Sequence, residues 1–598
     1  MIGPGWDHHQ VHPQQPPSVA AARSLLDELV RLGLRHVVLA PGSRSAPLAY
    51  AAEALDRAGR LTLHVRIDER SAAFLALGLA KTTRVPAAVV TTSGTAVANL
   101  HPAVLEADHG QVPLILLTAD RPPELRGVGA NQATEQVGIF APGRCRLAVD
   151  VETPTVERLE SQVTALRTTA ARAVSAATGL LGVAPGPVHL NLPYRDPLAP
   201  ALGGATAGAG TETDDVATSG ADTDDAHVTL PSRPPVVSPS GSAAPTVVPH
   251  SEGTVVVVGD LPTAEHRRAA FAWAAHHSLP VLAEPGAPPT PEDAHVLVPH
   301  GTLALRCTSW LSEHRPERVV VVGRPTLGRV IPALVRESHE VHLVTDRAEW
   351  ADPTHASANV HPFASLVLPG APASAPTPWL DAWQQLGQRL EQTVTEHLAT
   401  DGRTAGGVDA VRALEQALPA DARIVLGSSS VARDHHLGLA RPRADVDVVA
   451  SRGLAGIDGC VATASGVALA EPRPTYAVVG DLTFLHDSGA LVLGPAEPRP
   501  DLTVVVLDDR GGSIFATLEY GEPGREEPFD RVFATPTTTD LVALARAHGW
   551  AADQADGPGA LQRAVAEPPS GPRVVVVPLD LSQRRSQQQA LAAAVSGL

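Results

Sequence analysis

The chain is poor in cysteine and in long apolar runs. Its three cysteines, Cys145, Cys307 and Cys460, are far apart and fit neither a disulfide framework nor a zinc-ligand spacing. No run of about 18 uninterrupted apolar residues occurs, so a membrane span is not expected. The opening stretch MIGPGWDHHQVHPQQPP has neither a cationic start nor an apolar segment, which argues against a secretory signal. A cytoplasmic location is therefore the expectation.

Positive charge is scarce as well. The chain carries 46 lysine and arginine residues against 64 acidic ones, Lys81 is its single lysine, and the formal net charge is −18. This balance argues against nucleic acid or an anionic membrane surface as a general partner. Any anionic ligand must therefore be held by local arginines. The length of 598 residues, of which 44% are hydrophobic, implies roughly three to four domains with sizeable cores.

Apolar runs separated by helical segments recur along the chain, as in LILLTAD, RVVVVGRPT and LTVVVLDD. They predict an α/β fold of three modules, each a mainly parallel sheet flanked by helices. Between the first two modules, a segment rich in Ala, Gly, Thr, Ser, Pro and Asp has too little apolar surface to fold. We place the first module at 1–198, this flexible acidic linker or insertion at 199–253, the central module at 254–370, a linker and helix at 371–406, and the third module at 407–598.

Acidic residues end two apolar runs of the third module. Asp481 follows TYAVVG, and Asp508 and Asp509 follow LTVVVL just before Gly511 and Gly512. The separation of 28 residues between Asp481 and Asp509 suffices for a crossover helix and a return to a parallel neighbour, which places both acids at the carboxyl edge of the sheet. Two carboxylates and a backbone carbonyl suit Mg²⁺, which prefers oxygen ligands and binds phosphates. Each motif alone also fits an ordinary turn.

The stretch HVRIDERSAAFLALGLAK places charge where an extended segment turns into a helix. Asp68, Glu69 and Arg70 directly precede the helical pattern of Ala, Leu and Phe. One interpretation is the favourable interaction of an acid with the positive end of the helix dipole. The other is that one of these carboxylates is held out of water against a cofactor. The stretch by itself leaves both interpretations open.

The pattern in the third module resembles the signature of thiamine-diphosphate-dependent enzymes, in which Gly-Asp is followed, one helix and one strand later, by Asn or Asp. The resemblance implies that Asp481, Asp509 and the carbonyl of Gly511 bind Mg²⁺, or alternatively Mn²⁺, and that the metal holds the diphosphate. The second position often carries Asn in that family, so Asp509 adds a negative charge. The resemblance also implies that Glu69 contacts N1′ of the aminopyrimidine, where a partly desolvated carboxylate shares a proton.

Longer stretches are similar to one family of these enzymes, the 2-succinyl-5-enolpyruvyl-6-hydroxy-3-cyclohexene-1-carboxylate synthases, or MenD family. They include APGSRSAPLA, LLTADRPPELRGVGANQATEQVGIF, SRGLAGIDG and GGSIF. The resemblance covers the first and third modules almost fully and the central module more loosely. It implies a transferase of menaquinone biosynthesis, which decarboxylates 2-oxoglutarate and adds the resulting four-carbon unit to isochorismate in a 1,4-addition.

Arginines in these stretches are the implied contacts for two dianionic substrates, because a planar guanidinium binds a carboxylate through two hydrogen bonds. The resemblance implies a catalytic role for Glu69, Gln132 and Arg433. The implied substrate-binding residues are Ser43, Arg44, Arg121, Asn131, Arg329, Ser429 and Arg452. The implied cofactor contacts, besides Glu69, are Gly94, Ile457, Ile514 and Phe515. Gly328 precedes Arg329 in this chain, which departs from the Lys expected there.

Each of these assignments has a structural alternative. A lone arginine is more often a surface charge or the partner of an acid, and the three apolar residues would serve equally well in a core. The histidines of the first module form neither a metal-ligand pair nor a recognisable triad, so ordinary structural roles are expected for them. The stretch TTSGTAVAN follows a strand but lacks the lysine of a phosphate-binding loop, and Gly94 within it is expected to approach the pyrimidine ring.

A single ligand that contacts two modules implies that copies of the chain assemble around it. By resemblance, we expect a homodimer or a dimer of dimers in which Glu69 of one chain faces Asp481 and Asp509 of another. Two other functions stay open. One is a different thiamine-diphosphate-dependent 2-oxo acid decarboxylase or carboligase, which would consume 2-oxoglutarate without isochorismate. The other is a non-catalytic relative that binds a nucleotide or diphosphate, against which the presence of all three acids argues.

Overall fold

The fold is taken from a computed structural model of the chain. It describes residues 15–180, 182–200, 247–347, 350–356, 359–368, 376–400, 404–441, 443 and 445–598. Most of the predicted acidic linker 199–253, and the first residues of the predicted linker and helix 371–406, lie outside the described residues. Among the described helices, none is both long enough and apolar enough to cross a membrane.

The first module contains one six-stranded parallel sheet with helices on its faces. Its strands are β1 (His36–Leu39), β2 (Thr62–Val65), β3 (Ala87–Thr91), β4 (Leu114–Asp120), β5 (Leu147–Asp150) and β6 (Pro187–Pro193). They are ordered β2-β1-β3-β4-β6-β5. Its helices are α1 (Pro17–Arg31), α2 (Ala46–Arg57), α3 (Glu69–Thr83), α4 (Thr95–Ala98), α5 (His101–Gly110) and α6 (Leu159–Thr178). Strands β3 and β4 are buried along their whole length, as expected for a parallel sheet covered on both faces.

The central module contains a five-stranded sheet. Its strands are β7 (Thr254–Val258), β8 (Val281–Ala283), β9 (Arg318–Val322), β10 (Glu340–Val344) and β11 (Asn359–His361), in the order β11-β10-β9-β7-β8. Its helices are α7 (Ala264–His276), α8 (Gly301–Ala304), α9 (Thr308–Glu313) and α10 (Val330–Glu337). The longer helix α11 (Pro378–Leu398) follows, and its buried residues, including Trp383 and Leu390, join a hydrophobic cluster with Leu282 and Leu303 of this module.

The third module repeats the topology of the first. Its strands are β12 (Arg423–Leu426), β13 (Asp447–Ala450), β14 (Thr475–Gly480), β15 (Leu502–Asp508), β16 (Ala551–Gln554) and β17 (Arg573–Pro578), in the order β13-β12-β14-β15-β17-β16. Its helices are α12 (Gly407–Ala417), α13 (Ser430–Gly438), α14 (Cys460–Ala470), α15 (Asp481–His486), α16 (Ser513–Ala516), α17 (Glu526–Phe529), α18 (Leu541–Ala547), α19 (Pro558–Val565) and α20 (Arg584–Ser596).

The prediction of an α/β fold with three mainly parallel sheets is confirmed. All ladder pairings between the named strands of the described residues are parallel. The apolar runs of the sequence form the buried centres of these sheets. Strands β14 and β15, for example, carry Val, Ala, Leu and Tyr on both faces. The carboxyl ends of β14 and β15 therefore lie side by side at one edge.

Helices α3 and α14 join the first and third modules at backbone-to-backbone distance. A Cβ atom built on Gly78 would lie 2.1 Å from the carbonyl oxygen of Thr463, and one built on Gly466 would lie 2.2 Å from that of Leu75. Only glycine allows such an approach at these two positions. The helices share one hydrophobic core with the sheets of both modules. This contact holds the first and third modules of one chain in a fixed arrangement.

Candidate active site

Asp481 and Asp509 meet at the carboxyl edge of the third sheet. Gly480 ends β14 opposite Leu507 of β15, so the acids that follow the two strands are neighbours. Asp481 is 3% exposed, and its Oδ1 accepts a hydrogen bond from the backbone N–H of Leu482 at 2.7 Å. Its Oδ2 and the Oδ1 of Asp509 are buried and have no hydrogen-bond partner among the described residues. Two orphaned carboxylate oxygens therefore lie together in the interior.

The protonation equilibrium of this acidic pair reflects its burial. Burial, and then the neighbouring Asp509, raise the pKa of Asp481 to about 7. Burial raises the pKa of Asp509 to about 6, while a hydrogen bond from Ser513 acts in the opposite direction. The backbone N–H of Gly511 faces both carboxylates and lowers both pKa values. Gly511 thus lies at the acidic pair.

The donor set fits a hard divalent cation. Buried, unpaired carboxylate oxygens are costly unless a cation or a proton satisfies them, and Mg²⁺ prefers such oxygens together with phosphate and water. A Cβ on Gly511 would lie 2.5 Å from the carbonyl oxygen of Ala534, so the loop leaves no room for a larger residue. The orphaned oxygens and the tight glycine loop are together consistent with a metal that anchors a diphosphate.

The three apolar residues predicted to line the cofactor are neither core nor fully exposed. Ile457 and Ile514 are half-buried, and half-buried Phe515 packs with its ring centre 5.7 Å from that of Phe533. Partial burial is compatible both with packing at the edge of a hydrophobic cluster and with contact to a ligand. Beside them, the hydroxyls of Ser513 and Ser430 lie 3.0 Å apart and connect the start of α16 to the start of α13.

Helix α13 carries two of the predicted substrate contacts. Ser429, at its N-cap, has φ +70°, a left-handed conformation that is unusual for a residue other than glycine and that is typical of functional sites. Arg433, one turn later, donates from Nη1 to the carbonyl oxygen of Ser429 at 2.7 Å. Burial lowers the pKa of Arg433, and the nearby Arg452 lowers it further. The guanidinium groups of Arg433 and Arg452, both in the third module, are therefore close to each other.

The adjacent acids Asp68 and Glu69, at the start of α3, have different hydrogen-bond partners. Asp68 is the N-cap, since its Oδ1 accepts from the N–H of Arg70 at 3.0 Å and its Oδ2 accepts from the hydroxyl of Ser71 at 2.7 Å. Glu69 takes no part in that cap. Glu69 is half-buried as a residue, and its carboxylate accepts an exposed hydrogen bond from the side-chain amide of Asn99 at 3.1 Å. The capping explanation therefore applies to Asp68 and leaves Glu69 available for chemistry.

Hydrogen bonds around Ser93 bring several predicted residues of the first module together. Gly94 has φ +83°, and a Cβ there would lie 3.0 Å from Cγ of Gln132, so glycine is required. The side-chain amide of Gln132 donates to the carbonyl oxygen of Ser93 at 3.0 Å. Arg121 donates to the hydroxyl of Ser93 and to the carbonyl oxygen of Asn131, both at 2.9 Å. One cluster thus unites four of the predicted positions, and the side chains of Asn131 and Gln132 are exposed at its surface.

Arg44 extends this cluster. Its side chain is 11% exposed, and Nη1 donates to the carbonyl oxygen of Tyr194 at 2.9 Å and pairs with exposed Asp196 at 3.4 Å. Its Nε is buried and has no hydrogen-bond partner in the part of the chain that the structure describes. Burial, and then the charge of Arg44, lower the pKa of Arg121, which shows that the two cations are close. Ser43, at the start of the same turn, is exposed. A pair of crowded guanidinium groups is suited to an anionic ligand.

The predicted residues fall into two groups within one chain. Glu69, Gly94 and the residues around Arg121 belong to the first module, whereas Arg433, Arg452 and the acidic pair belong to the third. Among the described residues, the predicted members of one group share no hydrogen bond or ion pair with those of the other. Arg329 joins neither group, because it is the exposed N-cap of α10.

A separate cavity of about 300 Å³ lies where the first module meets the central one. Its lining includes His109 and Gln111 from the first module and Arg324 and Phe363 from the central one. None of the residues predicted for substrate, cofactor or metal lines it. The chemistry is therefore assigned to the strand ends described above and not to this cavity.

Sequence reasoning missed three residues that support the site. Asn99 contacts Glu69, and Thr326 and Glu284 of the central module are linked to Arg452. Asn99 belongs to the stretch TTSGTAVAN, in which Gly94 is the one predicted cofactor contact. Glu284 and Thr326 lie in a module without a recognised motif, so only the packing of the modules could reveal them.

Comparison with known proteins defines the class of this site. Residues 19–139 match the family described as "Thiamine pyrophosphate enzyme, N-terminal TPP binding domain", and residues 426–578 match the corresponding C-terminal TPP binding domain. A benzoylformate decarboxylase structure from Polynucleobacter necessarius has the same fold, with a TM-score of 0.62 and 18% identity over 94% of this chain and 98% of that one. The fold and the two domains are those of a thiamine pyrophosphate enzyme.

Relatives over nearly the whole length narrow the class to one family. Proteins named 2-succinyl-5-enolpyruvyl-6-hydroxy-3-cyclohexene-1-carboxylate synthase share 43% identity in Saccharopolyspora erythraea and 42% in Kineococcus radiotolerans, each over 97% of this chain and 99% of the relative. The protein of that name from Mycobacterium marinum is 40% identical over 97% of this chain and 100% of its own length. The chain belongs to this synthase family, and the resemblance seen in the sequence is confirmed.

Proposed function

We propose that the chain is a thiamine-diphosphate-dependent transferase that decarboxylates 2-oxoglutarate and adds its four-carbon remainder to isochorismate. The product is 2-succinyl-5-enolpyruvyl-6-hydroxy-3-cyclohexene-1-carboxylate, in menaquinone biosynthesis. The observation that carries the proposal is the pair of orphaned oxygens of Asp481 and Asp509 beside Gly511, in a chain of this family. A cytoplasmic location is part of the proposal, because the three cysteines are free.

In this proposal, Asp481, Asp509 and the carbonyl of Gly511 hold Mg²⁺, or Mn²⁺ in its place, and the metal anchors the diphosphate. The carbonyl oxygen of Gly511 accepts from the N–H of Ser513 at 2.9 Å and keeps a second lone pair for a cation. When bound, thiamine diphosphate supplies the electron sink for decarboxylation. Ile457, Ile514 and Phe515 form the apolar wall that excludes water from it.

Glu69 holds a proton at N1′ of the aminopyrimidine. Its hydrogen bond from Asn99 fixes the direction of the carboxylate without adding a full charge. Gly94 lets the chain approach the ring, because no side chain occupies that position. Glu69 is therefore the proposed acid–base residue of the cofactor, while neighbouring Asp68 keeps the helix capped.

The substrates are dianions, and the proposed contacts supply cations on both sides of the site. Arg44 and Arg121 act from the first module with Ser43 and Asn131. Arg433 and Arg452 act from the third module with Ser429. Gln132 orients a proton-carrying water at the substrate. Arg329 remains a proposed substrate contact, with the least structural support because it is exposed and shares no hydrogen bond with either group among the described residues.

Assembly as a homodimer, or as a dimer of dimers, is part of this proposal. Among the described residues, no hydrogen bond or ion pair joins the two groups within one chain, which supports a second copy as the source of the contact between Glu69 and the acidic pair. Apolar side chains beside both groups support such a contact, since Ile67 is 76% exposed, Val128 is 68% exposed and Leu454 is 53% exposed. Each active site would then combine the first module of one protomer with the third module of its partner.

Product analysis tests the proposed reaction. The purified protein is incubated with 2-oxoglutarate, isochorismate, thiamine diphosphate and Mg²⁺, and the products are identified by mass spectrometry. We expect the succinyl-bearing adduct only when all four are present. Rapid consumption of 2-oxoglutarate without isochorismate would instead identify a decarboxylase. Absence of Mg²⁺-dependent cofactor binding in calorimetry would indicate a non-catalytic relative.

Hybrid dimers test the shared site. Glu69→Gln and Asp481→Ala variants, each inactive alone, are co-expressed with different affinity tags, and the doubly tagged hybrid is isolated. A hybrid has one site with both defects and one intact site, so the isolated hybrid should show about one half of the wild-type activity per dimer. Mixtures of each variant with itself are the control. If every site were built within a single chain, the hybrid would stay inactive.

A further inference from the structure

The guanidinium of Arg452 is held by the central module. Arg452 is 7% exposed; its Nε donates to the hydroxyl of Thr326 at 2.9 Å, and its Nη2 donates to the carbonyl oxygen of the same residue at 3.1 Å. Nη1 has no acceptor among the described residues. One edge of the fork is therefore occupied by Thr326, and the remaining nitrogen is available for a ligand.

The hydroxyl of Thr326 has a defined direction. It donates to Oε2 of Glu284 at 2.9 Å, and Oε1 of Glu284 accepts from the N–H groups of Thr326 and Leu327, both at 2.7 Å. A hydroxyl has a single proton and two lone pairs. Because that proton goes to the buried Glu284 carboxylate, a lone pair is directed at Nε of Arg452. The three groups form a chain from acid to hydroxyl to guanidinium.

The backbone of Arg452 is held independently. Glu106 of α5 in the first module is 5% exposed and accepts from the N–H of Gly453 at 2.8 Å and from that of Leu454 at 2.6 Å. Arg324 of the central module donates to the carbonyl oxygens of Arg452 and Gly453. The main chain of this loop is therefore fixed by two modules, while the direction of the Arg452 side chain depends on Thr326.

We propose that Thr326 and Glu284 are positioning residues that aim Arg452 at the substrate, so that the central module sets the geometry of an anion-binding group in the third. The inference rests on the proposed substrate role of Arg452 and adds to it the group that orients this arginine. It also gives the central module a role, the orientation of Arg452, that is independent of Arg329. An arginine held along one edge has lost its rotamer freedom before the substrate arrives, which favours binding of a carboxylate.

Thr326→Val and Thr326→Ser are a matched pair for the test. Valine keeps the β-branched shape and removes the hydroxyl, whereas serine keeps the hydroxyl. We measure KM for both substrates, kcat and the thermal unfolding midpoint, also in Arg452→Gln and in Thr326→Val/Arg452→Gln. Thr326→Val is expected to raise KM for one substrate by about tenfold, as loss of a hydrogen bond to a charged group does, with kcat within about threefold. Thr326→Ser should retain wild-type KM values.

The double variant separates positioning from general packing. If Thr326 acts through Arg452, the same substrate is affected in both single variants, and Thr326→Val adds little once Arg452 is Gln. Additive effects, or a KM change for the other substrate, would overturn the inference. So would a normal Thr326→Val enzyme alongside an Arg452→Gln enzyme with raised KM, a result that leaves the proposed function intact. Normal KM values in Arg452→Gln would instead remove Arg452 from the proposed substrate site.

Discussion

Glu69→Gln is expected to lower kcat by about a thousandfold while thiamine diphosphate binding stays within about threefold of the wild-type value. Glutamine has the same shape and can keep the hydrogen bond with Asn99, but it cannot share a proton with N1′ of the aminopyrimidine. The diphosphate is anchored elsewhere, at Asp481 and Asp509, so retention should not change. Steady-state kinetics and calorimetric titration with the cofactor check the two halves of this prediction.

Asp68→Asn is the matched control for that experiment. It removes a carboxylate one residue away, and asparagine is itself a good N-cap, so α3 should keep its start. We expect near-wild-type turnover and a thermal unfolding midpoint close to that of the parent. Near-normal turnover in Glu69→Gln, or an equal loss in both variants, would contradict the role assigned to Glu69.

Asp481→Ala is expected to raise the Mg²⁺ concentration needed for cofactor binding by about a hundredfold or more, since even the loss of a group outside the direct ligands costs metal sites up to that factor. The same change should not destabilise the protein without metal, because it removes a buried carboxyl whose Oδ2 has no partner. The midpoint of thermal unfolding without metal should therefore stay constant or rise, while the stabilisation by Mg²⁺ and cofactor disappears.

Asp508→Asn serves as the comparison. Asp508 immediately precedes Asp509, but its Oδ1 accepts from the N–H of Arg510 at 3.1 Å and serves the turn. We expect its Mg²⁺ response to stay within about twofold of the wild type, since it is not one of the proposed metal ligands. An unchanged Mg²⁺ requirement in Asp481→Ala, or the same increase in both variants, would remove Asp481 from the metal site.

These predictions divide the chemistry between two modules and leave the central one without cofactor contacts. The hydrogen bonds of Thr326 and Glu284 suggest what the central module contributes, which is the orientation of Arg452. A separate module is suited to this work because its contacts with Arg452 do not depend on the metal or the diphosphate. Changes there should alter substrate affinity without altering cofactor retention.

Much of the fold and part of the site could be predicted from the sequence. Apolar runs such as those of β14 and β15 are local patterns, and a parallel sheet buried on both faces requires them wherever it occurs. Asp481 and Asp509 directly follow these runs, so their meeting at one edge followed from strand adjacency alone. Family membership was likewise readable, because its motifs are short and contiguous in the chain.

The tertiary structure decided what depends on distant partners. The sequence placed Asp68 and Glu69 side by side, and only hydrogen-bond geometry distinguished the helix cap, Asp68, from the acid that contacts Asn99, Glu69. Likewise, Thr326 meets Arg452 across 126 residues of chain, and no periodicity encodes such a contact. Residues that are close together in the sequence determine which helices and strands form, because the hydrogen-bonding and burial patterns of helices and strands repeat every few residues. The packing of whole modules determines which polar groups meet, and therefore which of them are left free to bind a ligand.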